Sequence, residues 1–108
     1  MGFEDAGVLG AIFSRLKDKS QIPQALQVFE KLRIPRVAEV RNRTMQQKAL
    51  YSLDGEAKAQ RDAKLAQGVV PGSPSGWNDL PFQRWLWGHD ATTEGELAWL
   101  NTVRESRL

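Results

Sequence analysis

An all-α fold of about five helices, with no sheet, follows from three observations on the sequence. Apolar residues recur at helical spacing through most of the chain. No run of five or more residues alternates convincingly between apolar and polar side chains, and no internal repeat is visible. The one stretch that cannot continue a helix is 67–76, which holds three Gly, two Pro and two Ser.

Leu9, Ile12, Phe13 and Leu16 predict a first helix from about Glu4 to Lys17. Glu4 and Asp5 stand near its amino end and Arg15 and Lys17 near its carboxyl end, as the helix dipole favours. Ser20 reads as the N-cap of a second helix, with Pro23 tolerated in its first turn and a stripe of Ile22, Leu26, Phe29 and Leu32. Pro35 has no N–H to donate and pushes Ile34 away from helical geometry, which predicts a kink or a one-residue break. Val37, Val40 and Met45 then carry the pattern to Leu50 and Tyr51, so that residues up to 51 form a long hairpin kinked at Pro35. Asp54 reads as the N-cap of a short, mostly polar helix ending near Ala66. After the 67–76 linker, all four tryptophans fall in a tail spanning 77–108, where Thr93-Glu94-Gly95-Glu96 resembles a capping box opening a last helix. The expected organisation is one compact domain: hairpin and third helix over 1–66, linker over 67–76, Trp-rich helical tail over 77–108.

Composition bounds the function. With 108 residues the core is thin, burying roughly 65% of the surface an unfolded chain exposes. The absence of Cys excludes a disulfide scaffold, a thiolate zinc site and a Cys nucleophile, and a single His leaves no metal-ligand spacing. No charged-then-apolar leader and no long apolar run is present, which predicts a soluble, cytoplasmic chain that does not span a membrane. The net charge of +2 is unevenly spread: residues 31–48 hold six basic side chains against Glu39 alone. Such a stripe can track phosphates, but no aromatic residue interleaves with it between Phe29 and Tyr51. The expectation is therefore no nucleic-acid partner, and a solvated face on which Arg33 and Arg36 bridge to carboxylates across the hairpin.

Four ordered stretches carry a resemblance: Glu4 to Gly10, Ala25 to Arg36, Leu53-Asp54-Gly55 followed by Arg61-Asp62, and Trp85-Leu86-Trp87-Gly88-His89-Asp90. Together they resemble the C-terminal quarter of the FAD-dependent aromatic-ring monooxygenases of the salicylate-hydroxylase type common in fungi. The remainder of that family's pattern is missing. The Gly-rich dinucleotide loop is absent, as are the family's flavin-contacting Asp-Gly motif and its substrate-binding sheet. What the resemblance implies is the tail of a monooxygenase that lacks the parts performing monooxygenation, with no cofactor of its own.

Within that tail, His89 beside Asp90 is a candidate proton shuttle, with Tyr51 as a further polar group. Trp85, Trp87 and Phe82 are candidate walls for a flat ligand, with Arg33 and Arg36 as candidate substrate-binding cations. Two functions fit. One is a small cofactor-independent enzyme of fungal secondary metabolism, of cyclase, isomerase or pericyclase type, acting on a small hydrophobic or aromatic metabolite. The other is a non-catalytic remnant or interaction module that completes a separate flavin domain. Apolar surface suited to absent neighbours predicts a homo-oligomer. Ser106-Arg107-Leu108 resembles the Ser-Lys-Leu peroxisomal address with Arg in place of Lys.

Overall fold

The helices form where the periodicity puts them, and their ends are set by local hydrogen bonds. A computed structural model describes residues 1–107; Leu108, and with it the last residue of the Ser-Arg-Leu tripeptide, lies outside the described residues. Among these residues are five α-helices and no strand: α1 (Gly2–Phe13), α2 (Ile22–Tyr51), α3 (Gly55–Leu65), α4 (Leu80–Trp87) and α5 (Ala91–Ser106). Single 3₁₀ turns at Lys19–Gln21 and Gly76–Asn78 precede α2 and α4.

Three boundaries differ from the sequence expectation. First, α1 stops at Phe13 because the chain tightens there: Arg15 and Leu16 donate their N–H groups three residues back, to Ile12 and Phe13. Second, the cap ahead of α2 is Asp18 and not Ser20. The Asp18 carboxylate accepts from the Ser20 N–H at 3.1 Å and from the Ser20 hydroxyl, while Gln21 Oε1 accepts the N–H groups of Lys17 and Asp18. The Ser20 hydroxyl and then its backbone N–H hold the Asp18 carboxyl below the usual range. Third, α5 opens at Ala91, one turn earlier than the Thr93 box. Asp90 is its cap, accepting the Thr93 N–H at 3.1 Å and the Thr93 hydroxyl at 2.8 Å.

Pro35 does not break the helix: α2 runs from Ile22 through Pro35 to Tyr51 as one element. A proline inside a helix costs about 3 kcal/mol. Arg33, two residues before Pro35, and Arg36, directly after it, are buried and bonded to α1, which holds the helical path where the missing N–H would weaken it.

The chain divides into two compact units, one comprising Met1–Ala38 with the segment from Asp90 onward, the other Glu39–His89. In the first, Val8, Ile12, Ala25, Val28 and Trp99 form the core. Helices α1 and α5 approach closely because small residues meet there. A Cβ on Gly95 would lie 2.9 Å from the Val8 carbonyl oxygen, so only glycine allows this approach.

Beside this core sits an ion cluster. Arg36 Nε and Nη2 fork onto the two Glu4 oxygens at 2.7 and 3.0 Å. Arg33 donates through Nη2 to Glu4 at 3.0 Å and through Nε to Asp5 at 2.6 Å. The expected bridging of Arg33 and Arg36 to carboxylates is thus present, although the arginines are buried and not solvated. The Arg36 hydrogen bonds are the main reason that the Glu4 carboxyl is pulled down to about 2, against its own partial burial. Burial opposes the charge on Arg33, but Asp5 and Glu4 outweigh it and raise its pKa.

Two outcomes follow for stability. Trp99→Ala empties the one tryptophan that is fully buried and should cost about 3–5 kcal/mol in urea unfolding, whereas Trp87→Ala, at a ring 69% exposed, should cost less than ~1 kcal/mol. Because the folded Glu4 pKa lies below its ordinary 4.5, its stabilisation is complete above that value and is lost as pH falls toward about 2. Partial exposure keeps it below the ~3 kcal/mol that the full shift would represent. The stability difference between wild type and Glu4→Gln should therefore be constant near neutrality and shrink between about pH 4.5 and 2.

Candidate functional site

The second unit holds an open cleft of about 620 Å³. One wall is the carboxyl-terminal half of α2. Arg43, Gln47 and Tyr51 follow each other at four-residue spacing, so they stand in one row along the helix. The opposite wall is the turn at Gly76 and Trp77 together with α4, which contributes Phe82, Gln83 and Trp87.

The Gly/Pro/Ser stretch is what positions these walls. Its backbone is closed on itself by Val70 N–H to the Asn78 carbonyl at 3.0 Å and Ser73 N–H to the Val70 carbonyl at 3.3 Å. Gly72 adopts φ +75°, a left-handed conformation that favours glycine. The Gly72 N–H donates to the buried Asp79 carboxylate at 3.2 Å, and the other Asp79 oxygen accepts Arg43 Nη1 at 3.0 Å. Asp79 thereby ties the turn to α2. Gln47 Oε1 accepts from the Ser75 hydroxyl and the Gly76 N–H, both at 3.3 Å. Gln83 completes the frame, donating to the Gly76 carbonyl at 2.6 Å and accepting from the Trp87 indole N–H at 2.5 Å.

These bonds decide what the cleft can do. The polar side chains in its walls are spent on holding the walls: Arg43 on Asp79 and Glu39, Gln47 and Gln83 on the turn, and the Thr44 hydroxyl on the Val40 carbonyl. The Arg43 guanidinium also lies 4.5 Å from the centre of the Phe82 ring, a cation–π contact that fixes the ring in place. No Asp, Glu or His lines the cleft among the described residues. The Lys48 ammonium and Tyr51 hydroxyl remain at the exposed rim.

Of the residues singled out in the sequence, the cleft gathers Tyr51, Phe82 and Trp87. Trp85 lies behind, stacked on Phe82 with ring centroids 5.7 Å apart. His89 and Asp90 do not line the cleft, and Asp90 is engaged in capping α5. Arg33 and Arg36 sit in the ion cluster of the other unit. Sequence reasoning missed Asp79, Gln47, Gln83 and Trp77. A signal existed for two of them: Gln83 stands four residues before Trp87 on one helix face, and Asp79 immediately precedes the Leu80-Pro81 helix start.

No family model matches the chain. Two curated proteins do. The FAD-dependent monooxygenase OpS4 of Beauveria bassiana (strain ARSEF 2860) is 29% identical over 102 residues, 92% of this chain and 24% of that protein. The FAD-dependent monooxygenase atnJ of Arthrinium sp is 29% identical over 96 residues, 88% of this chain and 23% of that protein. The likeness is to one part of a fungal flavin monooxygenase. The chain spans about a quarter of the length of these relatives.

The residues present do not fit a flavin dinucleotide. Such a cofactor is cradled by a Gly-rich turn between a strand and a helix, and the described residues contain no strand. The three glycines with positive φ, Gly55, Gly68 and Gly72, lie before α3 and in the 67–76 stretch. Nor does any helix of the described residues have the length and apolarity to cross a membrane.

Asp79 gives this site its test. Asp79→Ala should lower stability by about 1–3 kcal/mol, since it removes one of the two carboxylates that hold Arg43 and frees the Gly72 turn together. Near-ultraviolet circular dichroism should show lost tryptophan asymmetry from Trp77 and Trp87 while far-ultraviolet helicity is kept.

Proposed function

We propose that the chain is the helical, non-catalytic module of a flavin-monooxygenase-type system, completing a flavin-binding portion held on other residues and offering the α2–α4 cleft to a flat hydrophobic metabolite. The observation that supports this most is the asymmetry of the match: nearly all of this chain aligns, but with only a quarter of each relative. The cleft agrees with it. Aromatic walls and a fixed frame suit binding by shape, and the absence of Asp, Glu and His from the lining argues against proton transfer there.

The test uses OpS4 shortened by the quarter that this chain matches. Adding the chain should give a one-to-one complex on size exclusion and raise the FAD retained after gel filtration. If the two never associate while each is folded, the reading is wrong.

A second reading has one observation in its favour. Tyr51 and Lys48 put a hydroxyl and an ammonium at the rim of an aromatic cleft, which is enough for a cofactor-independent cyclase or isomerase working by confinement and modest charge stabilisation. Under that reading Tyr51→Phe and Trp87→Ala reduce turnover by the isolated chain. Under the first, the isolated chain turns over nothing.

A further inference from the structure

A second hollow, of about 520 Å³, belongs to the other unit and is independent of the cleft. It lies between the segment following α1 and the last turns of α5. Four cations line it: Arg15 and Lys17 from the first segment, and Arg104 and Arg107 from α5 and its cap; Arg15 is paired with Glu96, which leaves Lys17, Arg104 and Arg107. Its apolar surface comes from Leu16, Leu100 and Val103, of which Leu100 is 45% exposed.

The charge balance is one-sided. No Asp or Glu lines this hollow among the described residues. The neighbouring carboxylate of Glu96 is already taken by Arg15 at 2.5 Å. Lys17, Arg104 and Arg107 form no ion pair among the described residues. Arg104 and Arg107 are three residues apart, so they share one face. Their place at the carboxyl end of α5 suits its dipole, which explains each of them singly. It does not explain why a cation on another segment lines the same hollow, nor why the surface among the three is apolar. All three are exposed, so their mutual repulsion in water is small, and an anion seated among them would meet attraction from each.

We propose that this hollow binds a soluble phosphomonoester carrying an apolar body. Two guanidinium groups and an ammonium match the several acceptor oxygens and double charge of a phosphate, and the fork geometry of arginine favours it. The volume falls in the range of small-molecule sites, far more than a bare phosphate fills, and the apolar lining takes up the rest of the ligand.

Octyl phosphate is the probe, titrated into the full chain below its micellar concentration and followed by calorimetry. It should bind at least ten-fold more tightly than inorganic phosphate or octanol, and more weakly as salt rises. The double variant Lys17→Gln/Arg104→Gln should lose ten-fold or more in affinity, and Lys64→Gln, at an exposed position of α3 that lines neither hollow, should lose nothing. If the double variant fails to fold, the side-chain Nε–H resonances of Arg104 and Arg107 in the wild-type chain must shift on titration. Equal affinity for octanol and octyl phosphate, unmoved arginine resonances, or binding to phosphatidic-acid vesicles without binding to octyl phosphate would each overturn the proposal.

Discussion

Five side chains of α2 are buried, and two of them are arginines. That sets the terms for everything around this helix. A 30-residue helix with six cations has too little apolar surface to be fixed by packing, since Ala25, Val28 and Leu50 are its only buried apolar side chains. Its neighbours are therefore tied to it through guanidinium groups. Glu4 and Asp5 of α1 meet Arg33 and Arg36, Asp79 ahead of α4 meets Arg43, and Arg61 of α3 donates to the Leu50 carbonyl at 2.9 Å. Buried ion pairs rarely exceed an apolar contact in net stability, but losing one partner is costly, so they specify register more than they add strength. Arg33 shows the limit of the arrangement: its Nη1 is buried with no hydrogen-bond partner.

The same economy explains where the aromatic residues went. A thin core has room for one large ring, and Trp99 takes it, closing the contact between α1 and α5 that Gly95 makes possible. Trp77 and Trp87 are left mostly exposed, and both line the cleft. An indole ring left in water forfeits the 150–250 Å² of burial that usually places it inside. Two of them on one cleft, braced by Gln83 and by Phe82 beneath Arg43, form a surface kept for something other than this chain's own stability.

Fold class could be read from the sequence because it depends on periodicity, which is local. The helices and the bridging of Arg33 and Arg36 follow from neighbours within a few residues or from opposite charges a hairpin apart. Boundaries were harder. Ser20 and Thr93 look like caps, but Asp18 and Asp90 outcompete them because a carboxylate accepts two donors where a hydroxyl accepts one more weakly. Pro35 looks like a break because propensity weighs a single residue, whereas the outcome depends on bonds to residues 28 to 32 positions away. The candidate site was least accessible. Adjacent residues such as His89 and Asp90 suggest a pair on paper, but the cleft is assembled from α2, the turn and α4 by Asp79, a residue whose role exists only once the chain has folded back.

In the second unit the ordering of the Gly/Pro/Ser turn, the placing of α4 and the shaping of the cleft all pass through the contacts of Asp79, Gln47 and Gln83. The Asp79 carboxylate and the side-chain oxygens of Gln47 and Gln83 are engaged in this frame, so specificity rests on the outline of the aromatic walls, the Gln47 side-chain NH2 and the rim groups Lys48 and Tyr51. A binding surface of that kind tolerates varied flat molecules and discriminates weakly by hydrogen bonding, because a missing ligand hydroxyl leaves no buried partner unsatisfied. Under the proposed reading, chemical selectivity resides in the portion that performs the reaction, and this chain contributes the placing of the ligand.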